Sequence, residues 1–141
     1  MSLYLDTSCL VKLLKVEPET DAVSQLVHGE TEVVVSELTL LEAEQQITAA
    51  RLGGQLTPAQ ARQAEAALKE TTAEPPFVVR AIATDVFQIA RRQSAGKGYC
   101  RTLDRLHLAA MESLGVRRLL THDDQQAAAA RALGFAVVRP R

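Results

Sequence analysis

Four acidic residues are the chain's best candidates for chemistry: Asp6, Glu42, Asp104 and Asp123. They lie far apart along the sequence. Brought together, they would repel one another, and some would stay protonated at neutral pH unless a counter-charge arrived. A divalent cation removes that conflict. The donors are hard oxygens, and no His/Cys constellation accompanies them, so the expected ion is Mg²⁺ or Mn²⁺ rather than zinc. Such an ion activates water and neutralises charge developing on a phosphoryl group. The chemistry that follows is phosphodiester hydrolysis by in-line attack.

Each acid also has a plainer use. Asp6 could only cap a helix. Glu42 could close a capping box with Thr39, since Thr39-Leu40-Leu41-Glu42 fits that pattern. Asp104 suits a helix N-terminus, where carboxylates are favoured. Asp123 could be a cap, and its neighbour Asp124 competes with it as the fourth acid. Their joint placement is what gives them weight, and that depends on the elements between them.

Leu3-Tyr4-Leu5 reads as a short strand ending at Asp6-Thr7-Ser8, with Leu10, Val11, Leu13 and Leu14 following at helical spacing. Pro18 interrupts, and Thr20 is placed to cap a second helix. Val33-Val34-Val35 is a second strand, followed by a helix over 39–52 closed by Gly53-Gly54. Thr57-Pro58-Ala59-Gln60 is a strong helix start, with Thr at the N-cap, Pro at N1 and Gln at N3. Pro75-Pro76 breaks the chain before a third strand at Phe77-Val78-Val79. A helix over 84–93, the loop Gly96-Lys97-Gly98-Tyr99 and a helix over 103–114 come next. Arg118-Leu119-Leu120-Thr121 is a fourth strand, a last helix stops at Gly134, and Ala136-Val137-Val138 is a fifth strand.

Strands alternating with helices predict a parallel sheet covered on both faces, an α/β/α sandwich of five strands joined by right-handed crossovers. In such a sheet, ligands bind outside the carboxyl ends of the strands. Asp6 directly follows the first strand and Asp123 the fourth. Glu42 lies early in the helix after the second, and Asp104 begins the helix after the glycine-rich loop. The architecture can therefore gather all four at one edge.

The 141 residues amount to one domain, with 47% hydrophobic residues for a core and 23% charged. No apolar run reaches the ~18 residues of a membrane span. Met1-Ser2-Leu3-Tyr4-Leu5-Asp6 has no basic region of the kind that opens a signal peptide. Cys9 and Cys100 are too few for a disulfide framework and are expected to be buried free thiols in a reducing cytosol. Net charge is −1, but residues 1–79 hold 5 Lys/Arg against 12 Asp/Glu, and residues 80–141 hold 11 against 5. That asymmetry either gives a basic face for a polyanion or averages out where the halves intermingle.

Four segments resemble the PIN-domain family, in particular its VapC-type toxins. Tyr4-Leu5-Asp6-Thr7-Ser8-Cys9-Leu10-Val11-Lys12-Leu13 is similar to the family's opening strand and its Asp. Val34-Val35-Ser36-Glu37-Leu38-Thr39-Leu40-Leu41-Glu42-Ala43 resembles the second segment, with the acidic ligand at Glu42. Leu103-Asp104-Arg105-Leu106-His107-Leu108-Ala109-Ala110 is close to the family's Asp-x-x-His-Leu-Ala helix. Leu120-Thr121-His122-Asp123 resembles the Thr-x-Asp segment, although Asp124-Gln125-Gln126 after it is more polar than the pattern. The resemblance implies a single PIN-like domain spanning residues 1–141. It also implies a metal site of Asp6, Glu42, Asp104 and Asp123, with Asp6 and Asp104 holding Mg²⁺ or Mn²⁺ most directly. Glu42 and Asp123 would act through water, and Thr7, Ser8 or Thr121 would orient a water or the Asp6 carboxylate. It further implies an RNA substrate, a homodimer and a small antitoxin partner of the VapB kind.

Outside these acids, His107 reads as a packed histidine that shares a helix face with Asp104. Arg91, Arg92, Lys97, Arg101 and Arg105 flank the glycine loop, where they either bind RNA phosphates or form ordinary solvated surface. Tyr99 is a candidate to stack a base. Two rival functions remain. A phosphoaspartyl enzyme usually wants a second Asp two residues after the first, where this chain has Ser8. A catalytically silent PIN-like module would bind RNA or protein without cleaving, yet all four acids are present.

Overall fold

A computed structural model describes residues 2–14, 20–96 and 98–140 of the chain. Its strands are β1 (Ser2–Leu5), β2 (Glu32–Ser36), β3 (Phe77–Arg80), β4 (Arg118–Leu120) and β5 (Ala136–Val138). They form one sheet in the order β3-β2-β1-β4-β5, and every pairing is parallel. The helices are α1 (Thr7–Leu13), α2 (Thr20–His28), α3 (Glu37–Leu52), α4 (Pro58–Ala73), α5 (Val86–Ser94), α6 (Thr102–Leu114) and α7 (Asp124–Ala132).

Alternation along the strands divides the core in two. Leu3, Leu5, Val33, Val35 and Leu120 pack with Cys9, Val27, Ala43 and Leu68, so α1 to α4 cover one face. Tyr4, Val34 and Leu119 pack with Val86, Leu108, Met111 and Ala130, so α5 to α7 cover the other. This is the expected three-layer α/β/α sandwich. Most strand residues are apolar on both faces because both faces are covered.

From β1 the chain moves outward through β2 to β3, then crosses back to lay β4 on the opposite side of β1. The strand order therefore reverses between β1 and β4, and a crevice opens there beyond the strand ends. Asp6 N–H donates to Leu120 O at 3.1 Å and fixes the two strand ends beside each other.

Local signals account for most element boundaries. At α4, Thr57 accepts from Gln60 N–H at 3.1 Å and the Gln60 side chain accepts from Thr57 N–H at 2.9 Å, the expected capping box. Gly115 adopts φ 73° at the end of α6, a left-handed cap that suits glycine. Two expectations need correction. Helix α3 begins at Glu37, two residues early, because Ser36 is its N-cap and accepts from Thr39 N–H at 3.2 Å. Thr20 lies within α2 rather than before it, and the Pro18 break lies outside the described residues.

Candidate active site

Asp6 leaves the end of β1 and stands at the N-cap of α1, but its side chain makes no capping hydrogen bond. Its carboxylate, only 5% exposed, instead accepts from Ser8 Oγ at 2.7 Å and Thr121 Oγ1 at 3.2 Å. Thr121 itself accepts from Asp123 N–H at 3.0 Å and lies 2.9 Å from the fully buried Gln126 amide. With its amide oxygen toward Thr121, Gln126 leaves a buried nitrogen without an acceptor among the described residues. Turned over, the amide would donate to Thr121 and leave the single hydroxyl hydrogen for Asp6.

Glu42 projects from the second turn of α3. Its Oε1 accepts from Thr7 Oγ1 at 2.9 Å and pairs with His107 Nε2. Thr7, expected near Asp6, therefore serves Glu42. The capping-box reading of Glu42 fails because Ser36, not Thr39, is the N-cap. His107 is completely buried. Its Nδ1 lies 2.7 Å from Tyr4 Oη, which in turn lies 2.7 Å from Ser36 Oγ. A neutral imidazole satisfies the whole line: Ser36 donates to Tyr4, Tyr4 to Nδ1, and Nε2–H to the Glu42 carboxylate. Burial alone pushes Glu42 upward, but the hydrogen bonds from His107 and Thr7 and the charge of Arg101 hold it below its ordinary 4.5. Tyr4 is pushed up to about 12, first by burial and further by the charges of Asp6 and Glu42.

Asp104 sits in the first turn of α6. Burial raises its pKa first, and the negative charges of Asp123 and Asp6 raise it further against the pull of Arg101. The Arg101 guanidinium reaches Asp104 Oδ2 at 3.4 Å and Asp123 Oδ2 at 3.6 Å. Asp123 follows β4 and does cap α7, since its Oδ1 accepts from Gln126 N–H at 2.7 Å. Its other oxygen faces Arg101. Asp124 is the acid that points away: it pairs with Arg139 at 2.7 Å with its side chain 96% exposed.

The fold thus brings Asp6 and Asp123 close enough to Asp104 to oppose its charge, and Glu42 lies in the field of the same Arg101. They do not stand as a finished ligand set. Among the described residues, no three His, Cys, Asp or Glu side chains form a group arranged to hold a metal. Each acid is held by protein donors instead. The donor chemistry nevertheless suits a hard divalent cation: several carboxylates at one edge, and one of them raised by burial and then by its like-charged neighbours.

Residues 3–132 match the PIN domain. The chain belongs to the PIN domain family. Over 141 residues it is 33% identical to Ribonuclease VapC46 of Mycobacterium tuberculosis strain H37Rv, covering 99% of this chain and 98% of that protein. It is 30% identical over 146 residues to Ribonuclease VapC35 of the same strain, covering 98% and 96%. Among solved structures, VapBC2 from Rickettsia felis bound to a DNA fragment from their promoter shares the fold, with a TM-score of 0.72, 12% identity and full coverage of both chains.

Within this PIN domain, the sequence reading did not find Tyr4 and Ser36 as polar members of the site. The available signal was a lone hydroxyl in an otherwise aliphatic strand. The basic residues around the glycine loop divide. Arg92 pairs with Glu112, Arg101 spans two acids, and Arg105 is buried against Gly98 O at 2.8 Å. Lys97 lies outside the described residues. The charge asymmetry is partly cancelled in space, since Arg118 forms two 2.8 Å bonds to Glu30 of the acidic half. Both cysteines are free and buried, and no described helix is long and apolar enough to cross a membrane.

Proposed function

We propose that the chain is a divalent-metal-dependent endoribonuclease and the toxin of a toxin–antitoxin pair. The observation that carries this reading is the gathering of acids at the β1/β4 crevice: Asp104 and Asp123 share the Arg101 guanidinium, and Thr121 donates to Asp6 while accepting from Asp123 N–H. Kinship with VapC46 and VapC35, both named ribonucleases, supports RNA as the substrate. Asp6 and Asp104 would hold Mg²⁺ or Mn²⁺ most directly, with Glu42 and Asp123 acting through water. When bound, the ion supplies water activation and neutralises charge on the phosphoryl group.

The protein's own part is positioning. Ser8 and Thr121 fix the Asp6 carboxylate, and the Tyr4–His107 pair keeps Glu42 ionised and aimed. Arg101 offsets part of the charge on Asp104 and Asp123 until a cation replaces it or a phosphate draws the guanidinium away. The likeness to VapBC2 supports a small antitoxin as partner. A homodimer and a cytosolic location, with its thiols reduced, complete the proposal.

The Asp6→Asn variant tests it. Expected is loss of RNA cleavage in Mg²⁺ or Mn²⁺ with the circular dichroism spectrum and Tm kept. Equal cleavage by variant and parent would remove Asp6 from the site. No cleavage by the parent in any divalent ion would favour a silent RNA- or protein-binding module. The Arg101 bridge across two of the acids is the feature consistent with that second reading.

A further inference from the structure

Beside the acids lies a groove of about 650 Å³ between α5, the residues around Gly98 and the first turn of α6. Arg105 forms part of its wall and is 5% exposed. One guanidinium nitrogen, Nη2, donates to Gly98 O at 2.8 Å. The other, Nη1, is buried without an acceptor among the described residues. A permanently charged guanidinium held in the wall favours an anionic ligand in the groove. Arg91 lies on the same groove, and its other walls include Phe87, 58% exposed, and Tyr99, 73% exposed.

The wall that presents Arg105 is built rigidly. Gly98 has φ 92°, and a Cβ there would come within 3.1 Å of Ala132 Cβ and 3.4 Å of Ala129 Cα. The glycine lets the loop press on α7 and turn its carbonyl to Arg105. Arg105 thus uses one nitrogen to hold the loop, and its second, buried without an acceptor among the described residues, leaves the charge in the groove wall incompletely paired.

We propose that this groove is a nucleotide subsite for single-stranded RNA. A phosphate pairs with the exposed Arg91 and is favoured by the charge of Arg105 in the wall behind it, and a neighbouring base stacks on Tyr99. The proposal rests on the nuclease reading and adds to it where the strand lies. An acidic peptide would also satisfy the guanidinium. Exposed rings beside two guanidinium groups better fit a ligand that alternates anion and flat ring. Helix α6 carries both Arg105, in the groove wall, and Asp104, among the acids, so the subsite and the acids share one rigid element.

The test uses the full chain with Asp6→Asn to suppress cleavage, and a fluorescein-labelled single-stranded decaribonucleotide followed by anisotropy across a NaCl titration at fixed Mg²⁺. Tyr99→Ala is expected to weaken binding about tenfold without changing the salt slope. Arg91→Gln and Arg105→Gln should each weaken binding and reduce the log–log salt slope by about 0.7. Amide shifts on adding adenosine 5′-monophosphate should concentrate at Gly96, Gly98, Tyr99 and Thr102. Arg91 and Tyr99 are exposed, so their variants report even if Arg105→Gln fails to fold. Parent-like RNA affinity in both Tyr99→Ala and Arg91→Gln overturns the subsite. So does unchanged RNA affinity with lost affinity for the antitoxin, which would make the groove a protein-docking surface. If the parent cleaves RNA while these variants bind normally, only the subsite fails. If the parent neither binds nor cleaves RNA, the nuclease reading falls with it.

Discussion

The two sides of the β1/β4 crevice handle negative charge in opposite ways. On one side, Glu42 is clasped by His107 and Thr7, with Tyr4 and Ser36 behind the imidazole. The protein has already compensated this carboxylate, and its pKa falls. On the other side, Asp104 is half-buried next to Asp123 and Asp6, with the exposed Arg101 in opposition, and its pKa rises. One acid is fixed as an anion by the fold, while the other is left in conflict with its neighbours. A site that must accept a cation needs both: rigid acids to define the place, and an unrelieved repulsion that the cation removes.

Cutting the clasp should have the largest effect on the fold. His107→Ala leaves Glu42 without its buried partner and opens a cavity. It is expected to cost about 3 kcal/mol by urea denaturation. A loss under about 1 kcal/mol would show that the Tyr4–His107–Glu42 line contributes little.

A pair of isosteric variants sharpens the contrast through pH. Glu42 has a lowered folded pKa, so its stabilisation is present above its ordinary 4.5 and is lost as pH falls through the folded value. Asp104 has a raised folded pKa, so its protonated form favours folding at low pH. That advantage disappears as pH rises from its ordinary 3.8 through the folded value. In metal-free protein at pH 7, Glu42→Gln should lower Tm, whereas Asp104→Asn should raise it or leave it unchanged. Both differences should shrink on acidification through these windows. Asp104→Asn should also reduce the rise in Tm caused by Mg²⁺ or Mn²⁺. A large metal-free loss in Asp104→Asn would instead mark Asp104 as a structural helix-terminus residue.

The smallest effect belongs to the acid outside the crevice. Asp124→Ala removes only an exposed pairing with Arg139 and should leave Tm and cleavage rate at parent values. A cleavage defect there would shift the fourth acidic role from Asp123 to its neighbour.

Most of the fold was legible because its signals are local. Thr57 to Gln60 specify their own capping box, and Gly115 ends α6 where a left-handed residue is needed. The apolar strands read as buried because each carries its own pattern. The start of α3 was less legible: Thr39 fits a cap as well as Ser36 does, and only the packed backbone chose between them. Asp6, Glu42, Asp104 and Asp123 could be nominated from the order of strands and helices.

The sequence by itself determined the alternation of strand and helix, and so a parallel sheet with Asp6 and Asp123 just after strand ends. Tertiary structure alone decided which donor serves which carboxylate. Thr7 turned to Glu42, Asp123 rather than Asp124 faced Arg101, and Tyr4 became the link behind His107. The reason is distance along the chain. A cap or a helical face is settled by neighbours a few residues apart, whereas His107 and Tyr4 are brought to 2.7 Å only by the packing of α6 on β1.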